Sequence, residues 1–421
     1  METHSKRIGS TIVFVLLFLG ITNVFAGNGD GFFTVSGVVK DKSNRKTLEY
    51  VNISVPGSNL SSITNEDGVF VLKIKDSIRA KEIEFSRIGY FSTRIPLNGK
   101  DLLDQTFYLT QNEKQLKEIV VESWEKPSEL VRAALRRVEN NYSNKPNLLT
   151  GFYRETVQKR KKFINISEAV INIYKNSYSN NINTYNDRVQ IFKGRKLLTT
   201  KVSDTLAVKL LGGPNLSIYA DFVKNPDILF DEESLSYFNF KMQESKFLDN
   251  RQQYVLTFEP AVILPYPLYY GTLYIDKETL AFTRAEFYLD MKDRNKATEV
   301  ILRKKPAGLL FKPDEVSFIV SYKLREGKSY LNYIRNEVRF NCDWKRRLFA
   351  TNYTVVSEMV VTENVEDHAN NIPRKESFNA NESLSDKVIN FYDDNFWGAY
   401  NIIPPTESLE SAVNKLKKEY K

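Results

Sequence analysis

The strongest constraint in this chain is apolar alternation with period two, repeated over most of its 421 residues. In "GTLYIDKETLAFTRAEFYLDM", residues 271–291, Leu273 and Ile275 share one face. Asp276 to Thr279 then carry turn chemistry, and Phe282, Ala285, Phe287 and Leu289 rise again. The same pattern runs through "QYVLTFEPA", "EVSFIVSYKL", "YIRNEVRFNCDW" and "YTVVSEMVV". It recurs in "RVQIFKGRKLL", and in "GFYRETVQKRKKFINISEAVINIY", read as a hairpin. "EVILRKK" reads as a further strand. Consecutive strands of this kind predict one large curved antiparallel sheet or incomplete barrel over residues 148–365. The aromatic content, 23 Tyr and 27 Phe, suits such surfaces.

Ahead of this region the strands are shorter. "FTVSGVVKD" places Val35, Gly37 and Val39 on one face, and "YVNISVPGS" places Val51, Ile53 and Val55 together. "GVFVLKI" sets Phe70, Leu72 and Ile74 against Val69, Val71 and Lys73. Short, evenly spaced strands with turn signals predict a β-sandwich over residues 33–123. The oxygen-rich "TNEDG", Thr64 to Gly68, has the look of a calcium loop. Counted from Asn65, however, position twelve is Asp76, the positions between include Val69, Phe70, Val71 and Leu72, whose side chains hold no oxygen, and the glycine comes at position four rather than six. It reads as a hairpin turn in which Gly68 supplies a positive φ.

Between the two regions, 124–147 contains the clearest helical spacing: Leu130, Ala133, Ala134 and Val138, with Ser128 as expected N-cap. Residues 204–235, including "LLGGPNLSIYADFVKNPDILF", read as an insertion or lid over the open sheet. "LGGPN" lacks the context of a phosphate loop. Residues 366–421 form a polar loop and a helix from about Glu407, capped by Thr406 or Ser408, with Leu409, Val413 and Leu416 on its apolar face. This helix is expected to pack on the β domain.

Residues 1–26 read as a secretory signal: Lys6 and Arg7 precede the apolar run Ile12–Ile21, and Val24-Phe25-Ala26 suits cleavage. Its removal takes Glu2, Lys6 and Arg7 and lowers the formal charge from +8 to about +7. No later segment is apolar enough for a spanning helix. An exported protein with one cysteine, Cys342, forms no internal disulfide; the thiol reads as a small buried hydrophobe. Besides His4 in the signal segment, His368 is the only histidine, so neither a His-based zinc site nor a Ser-His-Asp triad is expected. No cofactor and no nucleic-acid motif is expected either. The basic runs Lys159–Lys162 and Arg303–Lys305 are compatible with hairpin tips or with contact to anionic lipid or polysaccharide.

The segment "VSGVVKDKSNRKTLEYVNISVPGSNLSSITNEDGVFVLKI", followed by "IEFSRIGYFSTRIPL", resembles the carboxypeptidase-regulatory-like domain of exported proteins of Gram-negative bacteria. Its marks are Gly37 to Asp41, Val51 to Gly57, Asp67 to Phe70, and the Gly89-Tyr90 pair. The resemblance implies a transthyretin-like sandwich that accompanies a peptidase without carrying its zinc ligands, so peptidase activity does not transfer. "QLKEIVVES" reads as the last strand of the sandwich or as a segment similar to one near the TonB-contacting box of outer-membrane transporters. The hairpin at 271–291 is similar to part of the lipoprotein-carrier fold. That likeness implies an apolar cavity lined by Phe282, Phe287 and Leu289 or by Tyr274 and Tyr288; an ordinary core face is the alternative. The C-terminal run "FWGAYNIIPPTESL" resembles the end of uncharacterised exported proteins with this same sandwich in front.

Two functional expectations follow. One is a non-enzymatic envelope protein, periplasmic or at the outer membrane, that holds an apolar ligand, a lipidated partner or an outer-membrane protein in the curved sheet. The other is a glycan-binding or glycan-acting protein that uses Trp397 and Phe396 with Asp393 and Asp394.

Overall fold

The computed structural model describes residues 31–112, 124, 126–179, 187–201, 206, 208–210, 212–344, 350–366, 370–379, 382–390 and 395–419. The signal segment, "QLKEIVVES", His368, Asp393 and Asp394 lie outside the described residues.

Strands β1 (Phe32–Asp41), β2 (Asn52–Ser54), β3 (Ser61–Ile63), β4 (Val69–Lys75), β5 (Glu82–Ser86), β6 (Thr93–Pro96) and β7 (Leu102–Leu109) form two sheets, β4–β1–β7 and β3–β2–β5–β6. The period-two pattern predicts their shared core. Val35, Val39, Ile53, Phe70, Leu72 and Ile74 are fully buried between the sheets. The rings of Phe70, Phe85 and Phe107 pack with centroids 4.7–5.6 Å apart. The Thr64–Gly68 turn is a hairpin turn: Asn65 Oδ1 accepts from the amides of Asp67 and Val69, and Gly68 has φ 75°.

Helices α1 (Pro127–Arg136) and α2 (Val138–Asn141) lead into the second unit. Helix α1 starts one residue before the expected cap, because Pro127 presets φ at the first helical position. There follow β8 (Asn147–Lys159), β9 (Lys162–Lys175), β10 (Arg188–Leu198), β11 (Lys209–Leu210), α3 (Pro214–Tyr219), β12 (Phe238–Leu248), β13 (Arg251–Pro260), β14 (Tyr269–Asp276) and β15 (Phe282–Leu289). The chain continues through α4 (Arg294–Ile301), β16 (Leu302–Lys304), β17 (Leu309–Arg325), β18 (Lys328–Trp344), β19 (Thr351–Val365), α5 (Leu384–Lys387), β20 (Ile389–Asn390) and α6 (Glu407–Glu419). "EVILRKK" therefore begins as a helix. Asp293 accepts from the amides of Asn295 and Lys296, and this N-cap overrides the strand-like spacing.

Eleven strands form one curved sheet in the order β12–β13–β14–β15–β17–β18–β19–β8–β9–β10–β20, with β12 and β20 as its edges. Pairing of β19 with β8 joins two distant stretches of chain, Val355 opposite Val157. The concave face is covered by α1, α2, α3, α4 and the 220–237 segment. The outer face carries the sandwich and the C-terminal segment.

The hairpin turn of the sandwich is central to that docking. Asn65 Nδ2 donates to the carbonyls of Pro404 and Pro405, and Asp67 Oδ2 accepts from the amide of Glu407 at 2.7 Å, at the start of α6. Glu66 meets Arg335 of β18 at 2.7 Å, and Arg335 also reaches Glu337 and Glu358. Ser61 donates to the carbonyl of Val361 at 2.8 Å. Nearby, Glu168 lies between Arg154 and Arg195, both at 2.8 Å, with all three side chains buried. Burial alone would raise the Glu168 carboxyl, but the two guanidinium groups hold it below its ordinary range. Helix α6 lays Leu409, Val413 and Leu416 on Ile166 and Leu197.

Candidate functional site

The concave face is not filled evenly. Over β13, β14, β15 and β17 the cover is aromatic. Phe222 meets Phe282 and Phe287 edge-on at 5.4 and 6.4 Å, and Phe287 stacks on Phe318 at 5.0 Å. Phe230 packs on Phe238 and Phe258, each at 5.4 Å. A buried polar knot fixes this cover. Asp221 accepts from the hydroxyls of Tyr178 and Tyr322 at 2.7 and 2.6 Å and pairs with Lys175 at 2.8 Å. Burial pushes the Asp221 carboxyl up, but Lys175 and the two hydroxyls outweigh it and hold the group ionised.

Over β8, β9, β18 and β19 the described residues bound an open cavity of about 410 Å3. Its wall is mixed: Val157, Ile164, Val338 and Val355 from the sheet and Leu206 and Val208 from the strap before α3 form an aliphatic part, while Asn165, Asn336, Ser357 and Lys209 are polar. Glu155, flanked in phase by Tyr153 and Val157, brings a carboxyl into this cavity. Burial raises that carboxyl above its ordinary range, partly offset by hydrogen bonds from the Tyr153 hydroxyl at 3.1 Å and the Gly213 amide. Arg303 stands at the mouth with Glu382 and Asp386. Such a space suits an apolar group with one hydrogen-bonding end, and its volume falls within the range of small-molecule sites.

The structure places the residues expected to bind a ligand in four different settings. Phe282, Phe287 and Leu289 are buried in the aromatic half, against Phe222 and its neighbours, and do not line the cavity. Tyr274 faces the other side of the sheet. There it lines a polar cleft of about 310 Å3 beneath the sandwich, with Arg87, Asp249, Arg284, Glu286 and Lys323. Tyr288, also on that outer face, stacks on Tyr270 at 5.5 Å. Trp397 is 2% exposed, edge-on to Phe152 at 5.5 Å with the Arg195 guanidinium 4.8 Å from its ring centroid. It anchors the C-terminal segment and offers no open platform to a sugar. Cys342 is buried, its thiol pushed up to about 11 by burial.

The cavity residues escape a search for aromatic clusters. A subtler signal was present: Glu155 is a lone carboxylate in phase with Tyr153 and Val157 on an otherwise apolar strand face. Among the described residues no group of three His, Cys, Asp or Glu side chains is placed to hold a metal ion.

Among solved structures, a DUF1329 family protein from Desulfovibrio piger is similar at 11% identity, covering 58% of this chain and 94% of its own, with TM-score 0.25. A LolA superfamily protein from Nitrosomonas europaea is similar at 10% identity, covering 59% and 98%, with TM-score 0.18. At such low TM-scores the pairings say nothing about function. No curated protein matches the sequence. Residues 35–121 match the family model of the CarboxypepD_reg-like domain, which describes the sandwich and not the sheet that bears the cavity.

Proposed function

We propose that this chain is a non-enzymatic binding protein of the bacterial cell envelope. Its curved sheet receives the apolar part of a ligand, or of a lipidated or outer-membrane partner, in the cavity over β8, β9, β18 and β19. The observation that carries this reading is a partly aliphatic cavity of about 410 Å3 on a face that is elsewhere filled by the chain's own aromatic cover. Glu155 presents its carboxyl, raised by burial above its ordinary range, to the polar end of the occupant. The sandwich, held on the outer face by the Asn65–Asp67 turn and Arg335, acts as an adaptor and leaves the concave side open.

The test is solvent extraction of the purified full chain followed by mass spectrometry, repeated on Val338→Trp. Wild type is expected to release a co-purified lipid and the tryptophan variant to release several-fold less. Absence of lipid from the wild type, together with failure to take up an environment-sensitive fatty-acid probe, refutes the reading.

A further inference from the structure

The loop between β13 and β14 is "AVILPYPL", residues 261–268, eight residues without a charge. Packing does not hide it. Ile263 is 93% exposed and Tyr266 54%, with Val262 and Tyr270 beside them also exposed. An isolated exposed Leu or Ile needs no explanation, but a contiguous exposed apolar run marks an interaction surface.

The strand registers show where this loop lies. Tyr269 pairs with Leu289, Tyr288 with Ser317, Leu309 with Trp344, and Tyr353 with Lys159. The apolar loop, α4, the segment after it and the β8–β9 tip therefore share one end of the sheet. Arg160 and Lys161 are exposed at that tip, and Arg303, Lys304 and Lys305 are exposed after α4. The acids Asp293 and Asp314 lie within 4.0 Å of Lys296 and Arg294, and Glu259, Glu299 and Asp386 are also exposed at this end, so the cations gather in two runs, Arg160–Lys161 and Arg303–Lys305, within a mixed surface. The cavity belongs to the same end: Val157 and Ile164 are two residues from the β8–β9 tip, and Arg303 stands at its mouth.

We propose that this end of the sheet docks on an anionic lipid bilayer, with Ile263 and Tyr266 inserted at the interface and the basic tip and Arg303–Lys305 on the headgroups. The backbone of the loop suits a bilayer. Pro265 and Pro267 carry no N–H, so two donors that lipid would leave unsatisfied are absent. The Leu264 carbonyl accepts from Lys296 Nζ at 2.6 Å, and the Leu268 carbonyl accepts from the amide of Asp290 at 2.8 Å. Tyrosine favours the membrane–water boundary, and Lys and Arg add attraction to anionic headgroups. An apolar tip beside scattered cations is the combination that gives reversible surface attachment.

This inference extends the binding function by placing the cavity mouth at a lipid surface, but it stands or falls separately. The experiment is co-sedimentation of the full chain with vesicles of phosphatidylcholine, with and without phosphatidylglycerol. Wild type is expected to partition onto the phosphatidylglycerol vesicles and to be released by salt. Ile263→Asp with Tyr266→Asp lowers partitioning by about tenfold or more, because two apolar side chains no longer enter the interface. Arg160→Glu with Lys161→Glu lowers it on anionic vesicles and leaves binding to pure phosphatidylcholine unchanged. All four positions are exposed or partly exposed, so the thermal transition should not move. Val338→Trp, which blocks the cavity, should sediment like wild type. Docking is refuted if wild type stays in solution with anionic vesicles, or if the Ile263/Tyr266 variant sediments as wild type does. In either case co-purified lipid in the wild type would leave the cavity reading intact.

Discussion

Over β13 to β17 the concave face is filled by Phe222 and Phe230, whereas over β8, β9, β18 and β19 the same face of the same sheet holds a cavity of about 410 Å3. The strands are equally regular in both halves. What differs is the cover and the length of the side chains beneath it. In the filled half, phenylalanines from the 220–237 segment interlock with Phe282, Phe287 and Phe318, and the Asp221 knot pins the segment down. In the open half, valines face Leu206 and Val208, and the described residues leave a cavity between the two surfaces. Aromatic density in a curved sheet thus marks where the chain closes itself, and the cavity lies where shorter aliphatic residues leave room.

This contrast can be broken by experiment. The largest effect is expected at Asp221→Ala, which leaves Lys175 buried with only Asp187 as partner: about 3–5 kcal/mol of stability in urea denaturation. Because burial is outweighed and the Asp221 carboxyl is held below its ordinary value, its contribution is present above that value and is lost as pH falls through the folded one. The acid limb of the wild-type stability curve should therefore flatten in Asp221→Ala; an unchanged limb would remove the knot from the explanation.

Next comes Phe287→Ala in the filled half, about 3–4 kcal/mol from lost packing and the cavity created. Val338→Ala in the open half should cost only about 1–2 kcal/mol, since it enlarges an existing space by two methyl groups. Equal losses would show the two halves to be packed alike. Val338→Trp should cost less than about 1.5 kcal/mol, because the added ring enters empty volume, an outcome that overpacking of a closed core would reverse.

The smallest effect belongs to Glu155→Gln. Burial raises the Glu155 carboxyl, so its contribution to stability is fully present below its ordinary value and fades as pH rises through the folded one. The glutamine variant should match wild type in acid and be slightly more stable at alkaline pH; the opposite slope would mean that the carboxylate is stabilised in its charged form.

Much of the architecture was legible in residue order. Alternation in "GTLYIDKETLAFTRAEFYLDM" specified the β14–β15 hairpin and the shared face of Leu273, Ile275, Ala285 and Phe287, whereas Phe282, five residues before Phe287, joins that face through the register shift beside Ile275. The sandwich core followed from Val35, Ile53 and Phe70 in the same way. The helix at 294–301 was not legible from apolar spacing, because Asp293 capping the amides of Asn295 and Lys296 decides it. Tyr274 and Phe282 were grouped as alternative linings of one space, yet they lie on opposite faces of the sheet and meet different layers.

By itself, the sequence determined most of the long strands, many of the side chains that share a strand face, and that Asn65 to Gly68 make a turn. These are local matters, set by period-two placement and backbone preference over a few residues. Only the tertiary structure decided which sheet face is concave, which half of it stays open, and that the Asn65–Asp67 turn docks the sandwich on the C-terminal segment. Those outcomes depend on pairings such as β19 with β8, and on a cover drawn from other parts of the chain. Alternation assigns a residue to a face; it carries no information about the layer that face will meet or the volume left between them.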